Sequence, residues 1–330
     1  MQQKILITGC AGFIGSHLAE KLLADGNSVI GIDCFRDYYD PTIKERNISG
    51  FVNHPNFTLI REDICQMDSF PDVEYVFHLA AQAGVRASWG SSFDRYTHDN
   101  IIATQRLLEW YKDKKELKKF VYASSSSVYG DASVYPVSEK VIPQPISPYG
   151  VTKLAAEHLC HLYYVNYGVP TVSLRYFTVY GPRQRPDMAI HKFMRAIVDG
   201  KEIEIYGDGT QMRDFTYVDD VIRANILAAE KGVPGEVYNV GGGNRIELLE
   251  LIRIIEKNVG RRVIVTNIRY QKGDVKDTWA SIVHMKEINW SPLISIKSGI
   301  GSMWDWFTQI SNNNSDLSDQ KTLLHDKEKF

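Results

Sequence analysis

"KILITGCAGFIG", residues 4–15, decides how the rest of the chain is read. Its first half is a short β-branched run that stops at glycine, and its second half opens a helical pattern through Phe13, Ile14, Leu18, Leu22 and Leu23. A second strand signal, "SVIGID" at 28–33, follows after "ADGN". Strand, helix and strand make a βαβ unit, with Gly9, Gly12 and Gly15 spaced three apart at its first turn. Without a Cβ the backbone there can approach a pyrophosphate, and the helix N-terminus offers it amide donors. Asp33 closes the second strand eighteen residues after Gly15, where a carboxylate accepts from both hydroxyls of an adenosine ribose and repels a 2′-phosphate. The expected cofactor is therefore NAD rather than NADP.

Working outward, further strand signals fall at "FTLIRED", "VEYVFHLAA", "KKFVYASSS", "TVSLRYF" and "EVYNVGG". They alternate with helical stretches near 99–113, 149–167, 189–199, 218–231 and 246–259. This alternation predicts an α/β fold with a doubly wound parallel sheet. The pattern loosens after about residue 176, with breaks at "YGPRQRP", "YGDGTQ" and "YQKGD". The expected division is a dinucleotide-binding domain over 1–175, to which about 215–242 returns, a smaller C-terminal α/β substrate domain over 176–312, and a polar tail at 313–330 expected to fray.

Composition excludes several classes. A formal net charge of -2 leaves no broad basic surface for nucleic acid. No apolar run reaches the ~18 residues of a spanning helix, and "MQQKILITG" lacks the apolar stretch of a signal peptide, so a cytoplasmic protein without membrane contact is expected. Cys10, Cys34, Cys65 and Cys160 are scattered without C-x-x-C spacing, as suits reduced thiols. His158 and His161 lie one helical turn apart, but no third ligand is in view and no metal is expected.

Behind the glycine turn, Asp63 with Ile64 follows the third strand, where a carboxylate can take an adenine amino group. "HLAAQAG" at 78–84 ends the fourth strand in small residues, Leu79, Ala80 and Ala81 among them, that admit a cofactor. Phe13 and Ile14 complete the cofactor set. "ASSSSVYG" at 123–130 then places hydroxyls at a strand's carboxyl end, and "SPYGVTK" at 147–153 sets Tyr149 and Lys153 one turn apart on one helix face. An ammonium so placed can lower the phenol's pKa from about 10 towards neutrality, helped by the nicotinamide charge. A phenolate there is a base for a sugar hydroxyl.

With these pieces the chain resembles the extended short-chain dehydrogenase/reductases, and within them the nucleotide-sugar 4-epimerases, over almost its whole length to about residue 310. The matching segments are "TGCAGFIGSH", "HLAA", "SSSSVYGD", "SPYGVTK", "RYFTVYGPRQRPDM", "YGDGTQMRDFTYVDD" and "YNVGGG". The resemblance implies a Rossmann-like fold, a tightly held NAD that takes a hydride from the sugar's C4 and returns it to the other face, and a homodimer through the helices near 99–113 and 149–167. It also implies that Ser125 bonds the sugar O4 beside Tyr149, that Lys153 holds the nicotinamide ribose, that Arg213 meets the diphosphate and that Tyr206 lines the base pocket. Lys192 and Asp274 are further substrate-side candidates. The family often carries arginine where this chain has Gln271, so Arg269 or Lys272 is the expected substitute.

The residues beside Ser125 narrow the chemistry. The 4,6-dehydratases of this superfamily need an Asp-Glu pair there, and the decarboxylases typically show Glu before "VYG"; this chain has Ser126 and Ser127. Thr178 stands where epimerases of neutral sugars commonly have Asn, and "GPRQRPDM" supplies Arg183 and Arg185, as in UDP-glucuronate 4-epimerases. Burying an anionic sugar unpaired costs several kcal/mol. Arg185, Thr178, Ser126 and Ser127 are therefore the expected clamp for a C5 carboxylate, with Arg183 either a further partner or a support of the loop. The alternatives are a UDP-glucose or UDP-N-acetylhexosamine 4-epimerase and a UDP-glucuronate decarboxylase.

Overall fold

The computed structural model describes residues 2–243, 245–269 and 272–325, with side chains described through Ser311. Among the described residues twelve strands follow in chain order: β1 (Lys4–Thr8), β2 (Ser28–Ile32), β3 (Phe57–Ile60), β4 (Tyr75–His78), β5 (Lys119–Ser125), β6 (Thr171–Tyr176), β7 (Thr178–Tyr180), β8 (Ile203–Tyr206), β9 (Met212–Tyr217), β10 (Val237–Val240), β11 (Arg245–Glu247) and β12 (Val265–Ile268).

Seven of them form one sheet in the order β10-β6-β5-β4-β1-β2-β3, and every pairing in it is parallel. A parallel sheet needs crossovers that cover both faces, so its strands read as continuous apolar runs. In β1 this is literal: Ile5 and Ile7 enter one core and Leu6 the other, because successive side chains alternate across the sheet. Helices Phe13–Ala24 and Val218–Lys231 cover the first face; Ala103–Tyr111 and Pro148–Tyr167 cover the second. The chain moves from β1 outward through β2 to β3, then returns to place β4 on the other side of β1. At that reversal the loops after β1 and β4 diverge and leave a crevice at the carboxyl ends of the strands.

Strands β11, β9 and β7 form a second sheet, and β12 pairs with β8. Val218–Lys231 and β10 return the chain to the large sheet beside β6. Sequence patterning did not reveal the strands β7, β8, β9, β11 and β12 or the helix Pro41–Ile48, most of which are too brief to show a period. The last helix, Ile296–His325, takes in the part of the polar tail up to His325, and residues 326–330 lie outside the described residues.

Candidate active site

The glycine turn shows why it must be glycine. Gly9 has φ +71°, and a Cβ on it would stand 2.8 Å from the Ala80 amide nitrogen, so a side chain would push β1 and β4 apart. A Cβ on Gly15 would run into the Gly9 carbonyl. The helix Phe13–Ala24 starts here with Gly12 at its N-cap and no side-chain cap, so its first amides are left for a ligand. A bare helix N-terminus over a Cβ-free cradle fits the pyrophosphate of a dinucleotide.

All the cofactor residues expected from sequence line one cavity: Gly9, Gly12, Phe13, Ile14, Gly15, Asp33, Asp63, Ile64, Leu79, Ala80, Ala81, Tyr149 and Lys153. Asp33 is held by the amides of Ala11 (3.2 Å) and Phe35 (2.8 Å) and by Lys44 Nζ (3.1 Å). Asp63 is engaged as well: Arg36 reaches it at 2.7 Å and Asp99 at 3.0 Å. Around Asp33 and Asp63 the cavity wall is thus a network of carboxylates and cations; Arg36 and Lys44 belong to it, and Tyr38 and Tyr39 line the same cavity, Tyr38 towards Arg185, without having been singled out from sequence. Their signal was present in "CFRDYYDPTIKER", dense in charge and aromatics just after Asp33. Asp63, Cys65 and His98 bring ligand atoms within 4.8 Å of one another, but Asp63 bonds Arg36, His98 bonds Asp99, and burial first pushes the Cys65 thiol up to about 11. That cluster reads as part of the ion-pair network.

The helix Pro148–Tyr167 is set by its cap. The Ser147 hydroxyl accepts from the Gly150 amide at 3.1 Å and Pro148 stands in the first turn, which fixes Tyr149 at the mouth of the helix and Lys153 one turn in. Ser125, at the end of β5, lies beside Tyr149 and favours its phenolate, and its Oγ accepts from the Ser127 amide at 3.1 Å. Residues 97–102 form a wider π-type turn in which Asn100 bonds both Gln82, after β4, and Thr152 on the helix Pro148–Tyr167. The loop after β4 and the helix that carries Tyr149 and Lys153 are tied through this one buried side chain.

The electrostatics depart from expectation in one respect. Burial raises the Tyr149 pKa, and the opposing influences are the Ser125 hydrogen bond and the charge of Arg185, not Lys153. Lys153 lies buried with Nζ 4.6 Å from the Tyr122 ring centroid, and burial brings its own pKa down to about 7. A dry site penalises phenolate and ammonium alike, so the lysine's pull on the phenol is weaker than its helical spacing suggests.

Arg185 lines the same cavity as Tyr149. Its Nε and Nη2 donate to Asp187 at 2.9 and 3.0 Å, and Tyr38 donates to the same carboxylate at 3.3 Å. Arg183 instead supports the loop: with φ +62° it turns to pair with Glu20 at 2.7 Å. Ser126 and Ser127 form a short turn directly after Ser125, and Thr178 opens β7 in register with Phe215. None of Ser126, Ser127, Thr178 and Lys192 lines the cavity that holds Arg185, and Lys192 lies furthest from the expected role. It is exposed on the helix Ala189–Val198, whose inward face is taken by Ile190, His191, Phe193 and Met194, and it lines a separate groove with Arg46 and Arg195.

Tyr206, Arg213 and Asp274 converge on the segment 273–276. Arg213 donates to the carbonyls of Val275 (2.7 Å) and Lys276 (3.1 Å). Arg86, unforeseen, pairs with Asp274 at 2.6 Å and lies 3.7 Å over the Tyr206 ring. Its place just after the small residues of "HLAAQAGV" was the available signal. Arg269 and Lys272 are exposed, and Gln271 lies outside the described residues.

The chain belongs to the NAD dependent epimerase/dehydratase family, whose model matches residues 5–241. In structure it is similar to the UDP-glucuronic acid 4-epimerase of Bacillus cereus solved with UDP-glucuronic acid and NAD, at 46% identity and a TM-score of 0.90, over 93% of this chain and 99% of that one. It is also similar to the UDP-glucuronate 4-epimerase of Thermodesulfobacterium geofontis, 41% identical over 91% of this chain and 95% of the relative. An uncharacterised UDP-glucose epimerase of Bacillus subtilis, YtcB, is 44% identical over 90% of this chain and 95% of its own length.

Proposed function

We propose that this protein interconverts UDP-glucuronate and UDP-galacturonate by epimerisation at C4, with NAD as a resident cofactor. The observation that carries the reading is the Arg185 guanidinium in the cavity that holds Tyr149, supported by the similarity to UDP-glucuronate 4-epimerases. NAD, when bound, supplies the acceptor that takes the C4 hydride and gives it back. Gly9, Gly12, Gly15 and Asp33 hold it, and Lys153 holds its nicotinamide ribose. Ser125 bonds O4 and Tyr149 takes the O4 proton, leaving a 4-keto sugar that turns over before reduction on its other face. Arg213, with Arg86 beside it, holds the diphosphate; Tyr206 and Asp274 border the base.

The 4-keto form of an acid sugar is a β-keto acid and loses carbon dioxide when its carboxylate bond aligns with the carbonyl π orbitals. Arg185, with Ser126, Ser127 and Thr178, holds the carboxylate out of that alignment and keeps charge on it. Incubation with a panel of UDP-sugars, read by anomeric proton NMR, tests the assignment: UDP-glucuronate should be the preferred substrate. Arg185→Ala should lose at least tenfold in kcat/KM on UDP-glucuronate and release UDP-pentose. Unimpaired epimerisation of UDP-glucuronate by that variant would sink the acid-sugar reading.

The same reading extends to assembly and setting. Ile102, Val151, Leu162 and Val165 leave apolar surface on two adjacent helices, which supports a homodimer formed by those helices from two copies. The four cysteines are free, which supports work in the cytoplasm, and the product suits polysaccharide synthesis. No described helix is long and apolar enough to cross a membrane.

A further inference from the structure

A guanidinium offers two paired-donor edges, Nε with Nη2 at its side and Nη1 with Nη2 at its end. In Arg185 the side edge is already taken by Asp187, at 2.9 and 3.0 Å. A carboxylate approaching from the cavity therefore meets the end edge. What holds Asp187 comes from elsewhere in the chain: Tyr38, in the loop after β2 that begins with the cofactor carboxylate Asp33, donates to Oδ2 at 3.3 Å. Gly84, with φ +104°, makes room for it, since a Cβ there would run into the Tyr38 hydroxyl. Burial works against a charged Asp187, yet Arg185 more than offsets this and holds its carboxyl below the usual range. The pair is thus neutral as a unit, which spares the cavity an uncompensated cation. Sugar carboxylate on the free edge completes a carboxylate, guanidinium, carboxylate row.

We infer that Asp187, held by Tyr38, is a positioning residue that presents the end edge of Arg185 to the sugar carboxylate and so sets the preference for acidic over neutral UDP-sugars. The inference rests on Arg185 being the carboxylate's partner. It goes further in naming what aims that arginine and in linking its aim to the loop that carries Asp33.

The test uses the NAD-loaded protein with Asp187→Ala and Tyr38→Phe. Steady-state kinetics on UDP-glucuronate are measured together with inhibition by UDP-glucose, a neutral competitor, and products are resolved by mass spectrometry. Asp187→Ala should raise KM for UDP-glucuronate about tenfold and divert part of the product to UDP-pentose, with the inhibition constant of UDP-glucose moved less than about threefold. Tyr38→Phe should shift the same quantities in the same direction by about threefold, and this removal of one hydroxyl keeps the test alive should Asp187→Ala fold poorly. Equal weakening towards both UDP-sugars with no pentose would overturn the inference, since Asp187 would then merely support its loop. Tighter UDP-glucuronate binding at unchanged kcat would overturn it too, because Asp187 would act only by repulsion. Failure of the underlying reading shows separately, as an Arg185→Ala variant that epimerises UDP-glucuronate normally.

Discussion

Glu157 is the residue whose loss should most clearly expose how this site is supported. Its carboxylate is buried under the end of β5, where Oε2 accepts from the Ser124 hydroxyl at 2.6 Å and from Arg175 Nε at 3.0 Å, and Oε1 from Arg175 Nη2 at 2.5 Å. Arg175 also donates to the Tyr129 hydroxyl, which donates in turn to Asn239. Burial opposes the charge on Arg175, and Glu157 offsets that so far that the pKa stands above the usual arginine range. Glu157→Ala strands this guanidinium, and breaking a buried pair from one side costs about 3–5 kcal/mol. With roughly 2.1 cal/mol/K per residue, unfolding of a 330-residue chain carries an entropy of about 0.7 kcal/mol/K, so the loss corresponds to roughly 4–7 °C in Tm. Replacing both partners, as Glu157→Leu with Arg175→Met, should recover most of it because no charge is left unpaired. Calorimetry and urea denaturation of the single and double variants provide the measurement. A single variant within about 1 kcal/mol of the parent, or a double variant worse than the single, would refute the argument that desolvated charge dominates here.

Three further outcomes follow from the site. Tyr149→Phe should keep NAD bound yet lose turnover by roughly 10²–10⁴, the usual range for a lost general base; comparable turnover would remove Tyr149 from the chemistry. Asp33→Ser removes the carboxylate that repels a 2′-phosphate and leaves Lys44 and Arg36 in place, so the variant should accept NADP; unchanged cofactor preference in a binding titration would show the ribose contact to be misplaced. Lys153 has a folded pKa of about 7 against an ordinary 10.5, so between those values the unfolded chain binds the extra proton and stability rises with pH. Cofactor-stripped Lys153→Met should therefore be more stable than the parent near pH 7, by at most about 4–5 kcal/mol at ~1.4 kcal/mol per pKa unit. The gap should close as pH approaches 10, and a pH-independent gap would refute burial as its cause.

Much of the fold, and the placing of Tyr149 and Lys153 at one cavity, was legible in the chain because both rest on local spacing. Strand and helix periods around Gly9, Gly12 and Gly15 announce a parallel sheet with a phosphate turn, and Tyr149 and Lys153 share a helix face whatever surrounds them. Lys192 shows the limit of such spacing: its charge pointed to an anion, but only packing decides which face of an amphipathic helix turns outward, and Lys192 is exposed beside a separate groove. The partners that tune the site were not legible. Arg36 meets Asp63 across 27 positions, Tyr38 meets Asp187 across 149 and Arg86 meets Asp274 across 188, and no period or motif connects residues so far apart. Nor could spacing weigh Lys153 against burial in setting the Tyr149 phenol, since desolvation depends on everything packed around the pair. Sequence alone determined the opening βαβ unit, the glycine turn and the Tyr149–Lys153 pair on one helix face, each written within a few residues; only the tertiary structure decided which charges meet and how dry they are, because those are properties of surfaces brought together by folding.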